Sequence, residues 1–305
     1  MTRLEIEAFL MIVKMGSISQ AAQKLFITQP ALSRRVAILE KELGYEVFIR
    51  SKGIRNVELT PAGQAFIPIA GRWMRIYQEA LSLQEVNKQT PLRLGAVSSV
   101  GTYILPTVLQ QYKQRQEGSR LEYRDYRSRE AYEAIENGAV DLALITDVTY
   151  DKTVQAIPLF QEKMVLLTEK NNPLSKSISA EDLAAEQEVR LPWYPEYELW
   201  HDHLFGSKAL NSVFMDQMYM LEYFLLTAGA WAIVPATAAI SLQKRLPVKA
   251  VELKDGPPPR FVYCLSTYKS LGPQQLLFFT LLKKYLSKVR GVTVLKDIFQ
   301  TGIKA

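Results

Sequence analysis

The chain has 305 residues, 48% of them hydrophobic, which is enough for more than one packed core and far from the composition of a disordered polypeptide. Its formal net charge is +6, and its single cysteine, Cys264, excludes an internal disulfide. The opening residues, among them Thr2, Arg3, Glu5 and Glu7, contain no continuous apolar run of the kind that begins a secretory signal, so a cytoplasmic protein is expected. The charge is unevenly spread: residues 1–60 carry nine Lys/Arg against six Asp/Glu, whereas residues 91–305 carry 25 against 23. Such a bias is compatible with a polyanionic partner.

Along the chain, Ile6, Phe9, Leu10 and Val13 recur at helical spacing and predict a helix over Leu4 to Met15, stopped by Gly16. Ser17 and Gln20 form a capping-box pattern for a second helix with Ala21, Ala22 and Leu25 on its apolar face. Thr28 is the expected N-cap of a third helix, Pro30 lies in its first turn, and Gly44 ends it. Its buried stripe is Leu32, Val36, Leu39 and Leu43, so Pro30, Arg34, Ala37 and Lys41 point outward. Two short strands, Glu46–Arg50 and Asn56–Leu59, follow as a hairpin with a basic tip. Thr60-Pro61 then opens a long helix reaching about Asn87, roughly 40 Å at the usual rise per residue. In it Phe66, Ile69, Trp73, Ile76, Ala80 and Leu83 alternate at spacings of three and four, which predicts a seam for a partner helix, while Pro68 predicts a kink.

After Pro91 the pattern changes to strands alternating with helices: Leu92–Val97, Leu105–Gln116, Leu121–Asp125, Arg129–Asn137 and Asp141–Ile145. That rhythm predicts an α/β domain with a mostly parallel sheet covered on both faces. Met164–Thr168 opens a second α/β unit over about 163–265, with strands near Val189, Val213, Ala232 and Val248. Tyr223 to Leu242 carries no charge over twenty residues, close to a bilayer-spanning length, but Gly229 and Pro235 interrupt it. A helix, a buried strand at Ala232–Val234 and a second helix are expected instead. Phe261–Thr267 reads as a returning strand and Pro273–Arg290 as a helix; residues 291–305 are weakly patterned.

The second and third helices, joined at Phe26-Ile27-Thr28, have helix-turn-helix spacing. The exposed start of the third helix offers Thr28, Gln29, Pro30, Ser33 and Arg34, small and hydrogen-bonding groups beside one guanidinium, which suits close approach to a major groove. Arg50, Lys52 and Arg55 on the hairpin are candidates to hold the flanking backbone or minor groove. These residues sit in stretches that resemble a known family. Gly16-Ser17-Ile18-Ser19-Gln20-Ala21-Ala22-Gln23-Lys24-Leu25, Thr28-Gln29-Pro30-Ala31-Leu32-Ser33 and Leu39-Glu40-Lys41-Glu42-Leu43-Gly44 are similar to the LysR-type transcriptional regulators. So are Val47-Phe48-Ile49-Arg50 and Leu59-Thr60-Pro61-Ala62-Gly63, without a gap over about 60 residues; Thr28, where Ser is usual, and Pro68 are departures. The resemblance implies a winged helix-turn-helix over 1–60 and a dimerising linker helix over 61–90. It further implies a two-lobed effector domain over 91–305 like a periplasmic binding protein, with lobe I at about 91–162 and 266–305. The implied protein is a homodimer or homotetramer that binds promoter DNA and switches with a small molecule.

In such two-lobed folds ligands sit beyond the carboxyl ends of strands, between the lobes. Ser98 and Ser99 follow the first strand, where hydroxyls and free amides would take a carboxylate, and the resemblance makes them the first effector contacts, with Thr102 nearby. Ser128, Thr146 and Pro192-Trp193-Tyr194 follow other strands and complete the candidate set. Trp193, Tyr194, Tyr197, Trp200 and Trp231 suggest stacking on a ring, or core packing; Arg127 and Arg129 are candidates to draw in an anion or to be solvated. No catalytic constellation is evident. His201 and His203 form an H-x-H without clear further ligands, Cys264 falls inside a strand, and Gly95 to Gly101 lacks both a phosphate-loop lysine and a dinucleotide glycine pattern. The expectation is a non-enzyme without cofactor or metal. Its expected partners are duplex DNA, a non-covalent effector, further copies of the chain and RNA polymerase, with no membrane. A solute-binding module, or a DNA-binding protein indifferent to effectors, are the alternatives.

Overall fold

A computed structural model of the protein describes residues 1–49, 57–82, 91–174, 177–206, 213–267 and 271–295. The chain divides into two compact units, one built on Met1–Thr90 and the other comprising Pro91–Ile135 and Val140–Ala305.

In the first unit, helices α1 (Arg3–Met15), α2 (Ile18–Lys24) and α3 (Gln29–Leu43) pack on one another. A two-stranded hairpin, β1 (Phe48–Ile49) with β2 (Glu58–Leu59), and helix α4 (Pro61–Ser82) follow. The apolar faces of these elements meet in one core around Ile6, Phe9, Ile12, Ala21, Leu32, Leu39, Val47 and Phe66. The caps follow the local chemistry: Ser17 and Thr28 accept from the amides of Gln20 and Ala31, and Gly16 and Gly44 close α1 and α3 in the left-handed region. Thr60 caps α4 by accepting from Gly63 N at 2.9 Å and ties it to the hairpin by donating to Glu46 O at 2.8 Å. Gly63 is required there, because a Cβ would lie 2.0 Å from the carbonyl oxygen of Val47. Glu40, unremarked by periodicity, is buried and accepts from the amides of Val47 and Phe48, so α3 anchors the start of the hairpin.

The expected seam on α4 is divided. Phe66 is buried in the first unit's core and Trp73 is half-buried against it, whereas Ile69 and Ile76 are 45% and 61% exposed and Ala80 is exposed. Alternate members of a three-four pattern diverge once the helix has a core of its own to meet. The helix continues through Pro68, and Leu83 and the stretch to Asn87 lie outside the described residues. Arg50, Lys52 and Arg55, with the hairpin tip, also lie outside them.

The second unit has two lobes. The strands of lobe I are β3 (Leu92–Ala96), β4 (Leu121–Asp125), β5 (Leu142–Ile145), β6 (Gln155–Glu162), β13 (Arg260–Ser266) and β14 (Val292–Val294). They form one six-stranded sheet in the order β14-β6-β13-β5-β3-β4. The sheet is mixed, not mostly parallel: only β5, β3 and β4 run parallel, and β13, β6 and β14 are joined by antiparallel pairings. Helices α5 (Ser98–Tyr103), α6 (Leu105–Arg115), α7 (Ser128–Glu136) and α11 (Pro273–Leu286) accompany it. Strand β6 escaped the sequence pattern because Pro158 interrupts it. The proline sits where the β6–β13 register shifts, a bulge that tolerates its missing N–H.

Lobe II begins at β7 (Met164–Glu169), which lies between β11 (Trp231–Pro235) and β12 (Val248–Leu253), with β8 (Ser177–Ile178) at the edge. A small parallel pair, β9 (Val189–Arg190) with β10 (Val213–Phe214), and helices α8 (Pro195–Phe205), α9 (Leu221–Phe224) and α10 (Ala236–Gln243) complete it. The uncharged stretch from Tyr223 thus divides into a helix end, a strand buried along its whole length and a second helix. No helix among the described residues is long and apolar enough to cross a membrane. Lobe II ends before Arg260, not at residue 265, because β13 pairs from Arg260 onward with β6 of lobe I.

The turn between α2 and α3 carries strain. Ile27 N reaches Ala22 O at 3.0 Å, a helix-ending motif that puts the preceding residue, Phe26, at φ 55 with 94% of its surface exposed. A bulky residue in that region costs about 1 kcal/mol or more. Phe26→Asn is therefore expected to stabilise the protein by about 1 kcal/mol, measured by urea denaturation; an unchanged or lowered midpoint would refute the strain.

Candidate nucleic-acid interface and effector site

Helix α3 presents two faces. Leu32, Val36 and Leu39 are buried, and Thr28, Gln29, Pro30, Ser33, Arg34, Ala37 and Lys41 are exposed on the opposite side. Gln29 donates from Nε2 to Ser19 Oγ, which couples the first turn of α3 to α2 across the helix-turn-helix. Every predicted DNA-reading residue of α3 is therefore uncovered in the first unit, on a helix held rigidly from behind.

In the second unit the predicted effector positions converge only in part. Ser99 is buried, with its Oγ accepting from Arg260 Nη1 at 2.6 Å, and Ser98 and Thr102 are half-buried on the same short helix. Ser128 Oγ accepts from the amides of Thr146 and Asp147 at 3.4 and 3.2 Å, so α7 is tied to the end of β5 and part of that hydroxyl's capacity is used. Trp193 donates from its indole to Ile233 O at 2.8 Å, and Tyr194 is buried with its hydroxyl donating to Pro258 O. Pro192 is exposed. Tyr197 and Trp231 are core residues of lobe II, and Trp200 packs against that core with its indole N–H on Asp255 O. Arg127 is exposed and pairs with Asp216 of lobe II at 2.9 Å.

Sequence patterns missed the charged groups behind Ser99. Arg260 and Glu162 are 1% and 0% exposed and face each other across β13 and β6 as directly paired residues. Glu162 Oε1 accepts from Arg260 Nε at 3.1 Å and Nη2 at 2.5 Å, and Oε2 accepts from Thr237 N and Oγ1 at 3.1 and 2.7 Å. The Trp193 ring lies 5.4 Å from the Arg260 guanidinium carbon. The available signal was a lone Glu after Phe160 and a lone Arg after three prolines, each beginning or ending an apolar strand.

Two family models match the chain: "Bacterial regulatory helix-turn-helix protein, lysR family" over residues 4–64, and "LysR substrate binding domain" over residues 87–287. The chain belongs to the LysR family. It is 28% identical over 212 residues to the uncharacterized HTH-type transcriptional regulator YybE of Bacillus subtilis (strain 168), covering 68% of this chain and 72% of that protein. Among solved structures it shares its fold with a full-length OxyR variant from Pseudomonas aeruginosa at a TM-score of 0.67 and 20% identity, covering 97% and 98% of the two chains. Full-length CbnR complexed with its target DNA matches at a TM-score of 0.61 and 17% identity, covering 93% and 100%. As a LysR-type regulator the chain pairs a helix-turn-helix unit with an effector-binding unit.

Of the groups weighed for other chemistry, His201 and Cys264 are buried and His203 is exposed. His201 is buried in lobe II, with Nε2 2.8 Å from Glu188 Oε2, also fully buried, and no cluster of three potential metal ligands occurs among the described residues. A pocket between Val189, Val213, Phe224 and Ala230 lies within lobe II and includes none of the predicted effector positions. Cys264 lies inside β13, where complete burial pushes its thiol up to about 12. Because the raised value keeps it protonated near neutrality, the native protein at pH 8 is expected to leave Cys264 unmodified by a thiol-specific disulfide reagent, with one thiol appearing on unfolding. Rapid modification of the folded chain would contradict that burial.

Proposed function

We propose that this protein is a sequence-specific transcriptional regulator whose promoter binding is switched by a small molecule held between the lobes of its second unit. The observation that carries the reading is the division of α3: one face packs into the core, and the other leaves Thr28, Gln29, Pro30, Ser33 and Arg34 bare. Small side chains let the helix enter a major groove, and Arg34 supplies the fork that reads guanine or grips phosphate. Arg50, Lys52 and Arg55 extend the contact to the flanking backbone. CbnR, of the same fold, is known in complex with its target DNA, which favours the same partner here.

The effector reading rests on Ser99. Its oxygen already accepts from Arg260, so its own proton is left to donate, and the matching ligand group is an acceptor such as a carboxylate oxygen. Ser98, Thr102, Ser128, Thr146, Pro192, Trp193 and Tyr194 are the remaining candidates. The exposed Ile69, Ile76 and Ala80 on α4, spaced seven and four apart, favour pairing of linker helices into a homodimer, and pairs of dimers into a homotetramer. In this reading the protein is cytoplasmic, uses no cofactor and catalyses no reaction, and RNA polymerase is its further partner at the promoter.

Arg34→Ala is expected to weaken binding to a duplex selected from a random pool by about 10–100-fold, the range for losing one good base contact. The oligomer and the melting temperature should be unchanged; wild-type affinity in that variant would remove Arg34 from the interface. A thermal-shift screen of metabolites on the full-length protein should find ligands that raise its melting temperature. Ser99→Ala should blunt that rise. An identical calorimetric affinity for the same metabolite in Ser99→Ala would remove Ser99 from the site.

A further inference from the structure

The two chain crossings between the lobes pass through one buried charge pair. The first follows Glu162 at the end of β6 and the second precedes Arg260 at the start of β13, and these residues are register partners. From this pair two arms extend. One runs from Arg260 Nη1 to Ser99 on α5, in lobe I. The other runs from Glu162 Oε2 to the amide and hydroxyl of Thr237 in the first turn of α10, in lobe II. The same turn is tied to the crossing by Ala236 N on Lys163 O at 2.9 Å, and Trp193 of lobe II covers the guanidinium. Helix α5 itself enters lobe II's core through Tyr103, whose hydroxyl donates to Met218 O at 3.3 Å.

We infer that Arg260 and Glu162 are positioning residues that relay the state of Ser99 to the orientation of lobe II through Thr237. The inference rests on the reading that Ser99 meets the effector, and it adds the path by which that contact leaves the site. The physics favours this path over the others that bridge the lobes. A guanidinium and a carboxylate shielded from solvent can be satisfied only by fixed partners, so a change in the hydrogen bond at Ser99 must be answered by a shift of the Arg260–Glu162 pair or leave the Nη1 N–H without an acceptor. The Arg127–Asp216 pair also joins the lobes, but its side chains are 76% and 48% exposed, and solvent screens it. The Tyr103–Met218 bond is neutral and does not involve Ser99.

The test reads the lobes directly and needs no effector. Nitroxide labels at Glu133→Cys in lobe I and Lys244→Cys in lobe II, both exposed positions, report the distance between lobes in the full-length protein; buried Cys264 takes no label, and dilution with unlabelled chains removes distances between subunits. Ser99→Ala and Thr237→Val are each expected to shift or broaden that distance. In an Arg260→Gln background neither should change it further, whereas Tyr103→Phe should still add its own shift. If Arg260→Gln fails to fold by circular dichroism, Glu162→Gln serves as the background and must give the same pattern. No shift with Ser99→Ala alone, or a shift from it that persists when the buried pair is broken, overturns the relay. Because no ligand enters the measurement, such a failure leaves the effector role of Ser99 standing, and loss of that role leaves the relay to be read on its own.

Discussion

A charge pair taken out of water at the crossing between two lobes constrains the second unit more than any single apolar contact. Removing a guanidinium and a carboxylate from solvent costs several kcal/mol per ion, and only good geometry with satisfied remaining groups recovers it. Here Glu162 accepts four hydrogen bonds, two on each oxygen, and Arg260 adds Ser99 and the face of Trp193. Loss of either partner would leave a buried charge alone, at a cost of about 3–5 kcal/mol. The carboxylate also lies at the start of α10, where unsatisfied amides and the helix dipole favour negative charge. The strand ends that flank the lobe crossings, the first turn of α10 in lobe II and the serine beyond β3 are thereby held by one set of bonds.

The first unit solves a different problem. Helix α3 must be rigid enough to hold its side chains in register with a groove, yet leave half of its surface uncovered. Leu32, Val36 and Leu39 provide the first requirement by packing against α1 and α2. Glu40 ties its far end to the hairpin through the amides of Val47 and Phe48, so helix and wing are placed by one carboxylate. Strain is concentrated in the turn that launches α3, where Phe26 takes a conformation ordinarily left to glycine or asparagine.

Local patterns are legible wherever a single periodicity decides the outcome. The three N-terminal helices, their caps at Ser17 and Thr28 and the stops at Gly16 and Gly44 follow from neighbours a few residues apart. So do β4, β7 and the division of the uncharged stretch around Trp231–Pro235. Patterns fail where two demands overlap. The apolar series on α4 reads as one seam, but Phe66 and Trp73 turn to the first unit's core and Ile69 and Ile76 do not. Strand β6 carries a proline, acceptable only because of a bulge against a strand about a hundred residues later.

The amino-acid sequence by itself determined the helix-turn-helix, the bare face from Thr28 to Arg34 and the alternation that makes two α/β lobes, because these depend on turn chemistry and on the repeat lengths of strand and helix. Tertiary structure alone decided the mixed order of lobe I's sheet, the return to that lobe at Arg260, and the meeting of Ser99, Glu162, Thr237 and Arg260. The bonds among those four span 161 positions from Ser99 to Arg260, 98 from Glu162 to Arg260 and 75 from Glu162 to Thr237, and no periodicity links side chains that far apart. Their pairing arises only when folding withdraws the charges from water and leaves each with the other as its best remaining partner.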